Sequence, residues 1–220
     1  MFHPVGMPME RGWVGRVEGD EVVHLAAQTL QHLFTGGGKA RDHARYPLAD
    51  ATLLSPVAVP PSIRVFDEGG AFEFANPAAL VGPGAVISAP DATIALDAGL
   101  AGLVGLDAVV AVSPVARLRA PALAPPKDRD FGIALGPWFT TLDEAPLGPS
   151  VGVTAGGATT EATADDFDWE AARRFAEANT TLRVGDLLLA PAAVTADVPP
   201  REAIVEVDGL GRLELEVETA

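Results

Sequence analysis

Residues 203–217 read AIVEVDGLGRLELEV, and this stretch carries the clearest structural signal in the chain. Apolar residues occupy alternate positions from Ala203 to Val207, and again from Leu213 to Val217. A period of two is typical of a strand with one buried face. Glycines at positions 209 and 211 supply the turn between the two halves. The stretch therefore predicts an antiparallel hairpin that packs against a core.

Upstream of this hairpin, short strand-like runs alternate with turn residues. The runs are Ile63–Phe66, Ala85–Ile87, Val109–Val112, Trp138–Thr140, Val151–Thr154 and Leu187–Leu189. One helix interrupts them, with Asp168 as its predicted N-cap and a shared apolar face that extends to Asn179. Many strands and few helices predict a mainly β (α+β) fold, built as a sandwich, roll or barrel.

The first 60 residues predict a small α+β unit. A hairpin is expected over residues 13–25, a helix over Ala26–Phe34, and a polar loop over Lys39–Asp50. The proline-rich stretch Pro56–Pro61 cannot donate ladder hydrogen bonds and favours extended chain. We therefore place the domain boundary there, with a small N-terminal domain at 1–60 and a core domain at 61–220.

The composition excludes several classes of function. The chain has 220 residues, 15 Lys and Arg against 30 Asp and Glu, and a net charge of −15. This charge argues against binding nucleic acid or an anionic membrane surface, because both depend on Lys and Arg. Without cysteine there is no thiol chemistry. We see neither a membrane span nor a signal peptide, and expect a soluble, cytoplasmic protein.

Five segments occur in an order that resembles the fumarylacetoacetate hydrolase family. They are FANPAALVGPG at 74–84, LDAGLAGLVG at 96–105, KDRDFGIALGPW at 127–138, TLRVGD at 181–186 and VDGLGRL at 207–213. The resemblance implies a mixed β-roll or barrel with a small N-terminal domain, usually dimeric. It also implies a divalent metal, Mg or Mn, and chemistry on β-dicarbonyl or 2-oxo-dienoate acids.

The residues that the family uses for this chemistry are largely replaced. The resemblance puts two metal-binding glutamates at Asp97 and Gly99, and the third acid at Ser113 if Arg117 keeps the arginine position. No acid lies between residues 108 and 120 in any nearby register. One carboxylate cannot satisfy a hard cation, which takes several oxygen ligands. We therefore expect no metal cofactor.

Other departures concern the groups around the metal. The family lysine of the first segment is Asn76 here, and residues 66–71 fill the place of a lid with a His–Glu pair but contain no histidine. Residues 189–192, Leu-Ala-Pro-Ala, replace hydroxyl residues that would bind a substrate carboxylate. General acid–base catalysis needs a tunable group within hydrogen-bond reach, and these replacements remove the groups that the family uses.

Three hypotheses follow for the function. The first is a non-catalytic binding or structural subunit, as a homodimer or in a heteromer with a catalytic relative. The second is a divergent enzyme for a 2-oxo or β-dicarbonyl acid, in which Lys127 polarises a carbonyl and Asp130 or Asp97 handles the proton. Arg117 and Asp97 are then the candidate substrate-binding residues. The third is a carrier or sensor of a small organic acid. The structural interpretation of Lys127 and Asp130 is a surface ion pair.

Overall fold

The structure, a computed structural model, describes residues 1–7, 12–198 and 201–219. Strands account for 47% of it and helices for 10%, so the predicted mainly β fold is confirmed. Among the described helices, none has the length and apolar character needed to cross a membrane.

The N-terminal region contains two small sheets and one short helix. Its elements are β1 (Phe2–Pro4), β2 (Gly15–Glu18), β3 (Glu21–Leu25), α1 (Leu30–Thr35), β4 (Asp42–Pro47), a 3-10 turn (Leu48–Asp50) and β5 (Ala51–Leu53). Strands β2, β3 and β4 form one antiparallel sheet, and β1 pairs with β5. The β2–β3 hairpin is as predicted.

Two expectations for this region are wrong. The helix begins at Leu30 rather than at Ala26. Thr29 is its N-cap, and the side chain accepts a hydrogen bond from the His32 amide. The expected loop over Lys39–Asp50 contains strand β4 instead. Its residues are mostly exposed, so no hydrophobic alternation marks it, and backbone pairing with β3 holds it in place.

The remaining strands build the core. They are β6 (Ile63–Phe66), β7 (Phe72–Ala75), β8 (Leu80–Val81), β9 (Ala85–Ala89), β10 (Ile94–Val104), β11 (Val109–Arg119), β12 (Ile133–Leu135), β13 (Thr140–Thr141), β14 (Ser150–Ala155), β15 (Ala158–Thr163), β16 (Leu187–Leu189), β17 (Val194–Val198), β18 (Arg201–Val207) and β19 (Gly211–Thr219). A second 3-10 turn (Pro77–Ala79) precedes β8, and α2 (Trp169–Glu177) follows β15.

Two sheets pack face to face to form the core. A nine-stranded mixed sheet has the main order β7-β6-β16-β10-β11-β12-β8, and a five-stranded sheet has the order β15-β14-β18-β19-β9. The β18–β19 hairpin lies where the sequence predicts it, with Val205 opposite Leu213. Both side chains are buried against Leu96 and Leu118 of the other sheet. This packing gives the curled, half-barrel shape.

Helix α2 also follows the sequence prediction. Asp168 is its N-cap, and the carboxylate accepts a 2.9 Å hydrogen bond from the Ala171 amide. Ala172 and Ala176 face the core and are buried. Small side chains at these two positions let the helix approach the sheet closely.

Strands β10 and β11 decide which residues can form a site. They pair antiparallel over almost their whole length, with Asp97 opposite Arg117. Because side chains alternate between faces, the even-numbered Leu96 and Leu118 enter the core between the sheets. Asp97, Arg117 and the other odd-numbered residues at this end of the ladder face the opposite side. That face carries the site described next.

Candidate functional site: an arginine cavity

The odd-numbered face of β10 and β11 forms the floor of a cavity of about 350 Å³. We call it the arginine cavity, because Arg117, Arg119 and Arg129 all line it. Its walls are the turn after β6, with Asp67 and Glu68, and the segment from 189 to 195. That segment includes the Leu-Ala-Pro-Ala stretch that replaces the family's hydroxyl residues.

Asp97 lines this cavity and is held from several sides. Arg119 binds both carboxylate oxygens, through its Nε and, at 2.7 Å, its Nη2. The Thr195 hydroxyl donates a 2.8 Å hydrogen bond to Oδ1. Arg117 places its Nη2 3.6 Å from Oδ2. Since the Asp97 side chain is only 12% exposed, its neighbours rather than water satisfy its charge.

These contacts change the acidity of Asp97. Burial alone would raise the pKa of its carboxyl group, but the hydrogen bonds from Arg119 and Thr195 and the charges of Arg119 and Arg117 outweigh burial. The net result is a pKa below the ordinary value for aspartate. Asp97 is therefore ionised at neutral pH and is a poor proton acceptor there.

The other two arginines are held by a second set of carboxylates. Glu73 on β7 bridges them, with Oε1 2.7 Å from Arg117 Nη1 and Oε2 2.5 Å from Arg129 Nη1. Asp128 accepts from both Nε and Nη2 of Arg129, at 2.8 and 2.5 Å. We call Arg117, Arg119 and Arg129 with Glu73, Asp97 and Asp128 the arginine network. Its formal charges cancel.

The structure brings together two of the four predicted site residues. Asp97 and Arg117 both line the arginine cavity. Lys127 and Asp130 do not: Lys127 Nζ pairs with Asp130 at 2.8 Å, and the lysine side chain is 76% exposed. Their geometry is the surface ion pair of the structural interpretation. A catalytic role for this pair remains a prediction that the geometry does not favour.

Sequence reasoning missed several members of the arginine network. Arg119 could have been found, because it lies two residues after Arg117 and residues at this spacing on a strand share a face. Arg129 and Glu73 gave no such signal, since they are 56 residues apart and meet only through the fold. Thr195 was missed for the same reason, because β17 reaches Asp97 only through sheet pairing.

The structure places Ser113, the expected third metal position, away from the arginine cavity. Ser113 lies opposite Ala101, about 13 Å along the strands from Asp97. It is fully buried and does not line the cavity. Val115 is the residue of β11 that lies opposite Gly99 and lines the cavity. Neither Ser113 nor Val115 carries a carboxylate that could bind a cation.

Asn76, at the family's lysine position, has a local structural role. Its side-chain oxygen accepts from the Ala78 amide and caps the second 3-10 turn. Its Nδ2 donates to the Asp130 carbonyl at 3.2 Å. The residue connects two loops beside the site and does not line the cavity.

Comparisons with known proteins identify the fold. The chain matches no protein-family model and no curated protein. It is similar to the maleylpyruvate hydrolase of Sphingobium sp. SYK-6, solved with manganese (II) and pyruvate, at 20% identity and a TM-score of 0.78, over 95% of this chain and 97% of that one. It is also similar to the 2-hydroxyhepta-2,4-diene-1,7-dioate isomerase of Mycobacterium marinum, at 20% identity and a TM-score of 0.75, over 94% and 93% of the two chains.

A third similar structure is the 5-carboxymethyl-2-hydroxymuconate delta-isomerase of Mycobacterium smegmatis, at 17% identity and a TM-score of 0.74, over 94% of both chains. These neighbours are members of the fumarylacetoacetate hydrolase superfamily. The fold of this chain is therefore the fumarylacetoacetate-hydrolase-like fold, as the order of its sequence segments indicates. At 17–20% sequence identity, the similarity to these structures shows a shared fold and nothing more.

A divalent cation does not fit the residues of the arginine cavity. Of the three expected ligand positions, only Asp97 carries a carboxylate, and both of its oxygens are bound by Arg119. Arg117 and Arg129 add two more fixed positive charges to the cavity wall. Across the part of the chain that the structure describes, no three His, Cys, Asp or Glu side chains are placed to hold a metal ion.

Proposed function

We propose that this protein is a non-catalytic relative of the enzymes that share its fold, and that it binds a small organic acid in the arginine cavity without a divalent metal. The observation that carries the proposal is the two-pronged contact of Arg119 with Asp97. Bidentate pairs of this kind are strong and fix both partners. The Arg119 guanidinium thus binds both oxygens of the carboxylate that a metal would need as a ligand.

The absence of a suitable proton acceptor supports the non-catalytic part. The carboxylates of Asp97, Glu73 and Asp128 are all engaged by arginines. No histidine lines the cavity among the described residues. Asp67 and Glu68 lie on an exposed turn, where water competes with their carboxylates as the acceptor of a proton from a ligand. This arrangement lacks the buried, tunable acid or base that efficient proton transfer uses.

Unused donors on the arginines support the binding part. Each guanidinium has five N–H groups. Arg119 gives two of them to Asp97, and Arg117 gives one to Glu73 at hydrogen-bond distance. The remaining groups are already oriented by the network, so a carboxylate can bind without a large ordering cost. Arg117 is only 12% exposed, and low hydration strengthens a bond to an anion.

The ligand class follows from the shape and polarity of the cavity. About 350 Å³ admits a molecule of a few heavy atoms, and planar guanidiniums match planar carboxylates. Pyruvate, present in the maleylpyruvate hydrolase structure, and oxalate are suitable probes. We further propose that the chain works as a subunit, in a homodimer or with a catalytic relative. Light scattering of the purified protein tests the homodimer.

Calorimetric titration tests the binding proposal. We expect one oxalate or pyruvate site per chain after chelator treatment, with the same affinity when Mn²⁺ is added. Arg117→Gln should weaken binding at least about tenfold, equivalent to about 1.4 kcal/mol. Arg174→Gln is the matched control, because Arg174 is an exposed arginine on α2 outside the cavity. It should bind as the wild type does.

Arg117→Lys keeps the positive charge but loses the planar guanidinium with its two-pronged hydrogen bonding. This variant keeps the test valid if Arg117→Gln fails to fold. It should also weaken binding while keeping the wild-type melting temperature. Binding that requires Mn²⁺, or metal-dependent hydrolysis of an acylpyruvate, would contradict the proposal. So would a lack of binding at millimolar ligand.

A further inference from the structure

A second, larger cavity lies away from the arginine cavity and shares no lining residue with it among the described residues. Its volume is about 720 Å³. It lies between β2, β3 and α1 on one side and the segment from Trp138 to Glu144 on the other. We call it the apolar cavity. Ligand sites of about 300–1,000 Å³ commonly occur at such junctions between units of a fold.

Several large apolar side chains line this cavity. They include Val17, Leu25, Leu33, Phe34, Trp138 and Phe139. Leu25 and Leu33 are buried, whereas Trp138 and Phe139 are only partly covered by protein. Partly covered aromatic surface is unfavourable in water, and a ligand with an apolar body would remove it from water.

Three charged side chains line the cavity: Arg16, Lys39 and Glu144. Arg16 is paired with Glu18 and Asp42. Lys39 makes no ion pair within the described residues, so its ammonium group is available to a ligand. In a chain with a net charge of −15, a lysine in the lining of this cavity favours one anionic head group, while the overall field disfavours polyanions.

We propose that the apolar cavity binds an amphipathic organic acid, with its apolar body between Phe34 and Phe139 and its carboxylate at Lys39. This ligand differs from that of the arginine cavity, which is about half as large and is lined by three arginines. The two sites can be occupied independently. Because the ligand would bind only the folded chain, whose N-terminal sheet and core both line the cavity, binding should also raise the melting temperature.

Decanoate is the probe for the first experiment, and decylammonium, with the same chain and the opposite charge, is its control. Calorimetry should give one decanoate site per chain and at least tenfold weaker binding of decylammonium. Saturating oxalate should leave the decanoate affinity unchanged. Trp138 fluorescence should change on titration, and Trp138→Phe should remove that change. Equal binding of the two probes, or competition by oxalate, would overturn the proposal.

Variants locate the site. Lys39→Gln should weaken the binding of decanoate about tenfold. Ala40→Trp fills the cavity from the N-terminal side and Thr141→Trp fills it from the core side, because both residues line it. Each should abolish binding. Leu147→Trp, at a site that is 90% exposed, is the matched control and should bind normally. If both filled variants melt like the wild type and still bind decanoate, the ligand lies elsewhere and the proposal fails.

Discussion

Two networks in this molecule use the same residue types at similar distances in different surroundings. The arginine network lines a cavity, and Arg117 and Asp97 are each 12% exposed. The second, which we call the surface network, lies on the N-terminal sheet and consists of Arg16, Arg45, Glu18, Glu21 and Asp42. Its side chains are 36–49% exposed, although its contacts measure 2.5–3.2 Å.

The comparison teaches that burial decides what an ion pair does. Water and salt screen the surface network, and such pairs add little to stability. The arginine network has buried members, Arg117, Asp97 and Asp128, beside partly exposed ones such as Glu73 at 40%. Removal of a partner of Asp97 or Arg117 leaves a poorly hydrated charge, which is costly. The same low hydration makes the remaining N–H groups effective donors to a ligand. The N···O distances alone would have suggested that the ion pairs of the two networks contribute equally to stability.

The largest expected effect is that of removing the central carboxylate. Asp97→Ala should lower the free energy of unfolding by about 2 kcal/mol, because Arg119 and Thr195 lose their shared partner in a confined site. Urea unfolding followed by circular dichroism measures this difference. Asp97→Asn keeps the size and one acceptor, and should lose less. A change below about 0.5 kcal/mol would mean that the arginine network behaves like the surface network.

A smaller effect is expected from pH. The pKa of Asp97 in the folded state lies below its ordinary value of 3.8. Its stabilising contribution is therefore complete well above pH 4 and is lost as the pH falls through the folded-state pKa. The difference in unfolding free energy between wild type and Asp97→Asn should be constant from pH 7 to about pH 5 and should shrink below about pH 4. A difference that already declines near pH 6 would point to another titrating group.

The smallest effect is expected at the surface network. Arg45→Gln removes contacts to Glu18 and Glu21 and should leave the melting temperature almost unchanged at low salt. In 1 M NaCl, where charges more than about 3 Å apart are screened, any difference should vanish. The Asp97→Ala difference should persist in the same buffer. If high salt removed both differences equally, burial would not distinguish the two networks.

The sequence predicted the hairpin at β18 and β19 and helix α2, but gave no strand signal for β10. The difference has a physical cause. One face of the hairpin is exposed, so its residues alternate, and α2 begins at a capping aspartate. Strand β10 is buried on both faces and is rich in alanine and glycine, so its pattern has no period. It entered the prediction only through the family resemblance of residues 96–105.

For the site, the sequence supplied Asp97 and Arg117 and the loss of the other expected metal ligands. It could not supply their partners. Glu73, Arg129 and Thr195 come from three separate segments that sheet pairing brings to one face. The distance of Ser113 from Asp97 along the strands likewise became visible only when the β10–β11 register was known.

By itself, the sequence determined the strand-rich class, the closing hairpin, the acidic charge and the lack of cysteine. These properties depend on local periodicity and on which side chains exist at all. The tertiary structure decided that Asp97 is bound by Arg119, that Lys127 lies on the surface, and that an apolar cavity separates the N-terminal sheet from the core. Those facts depend on contacts between residues far apart in the chain, and only the paired and packed sheets bring such residues together.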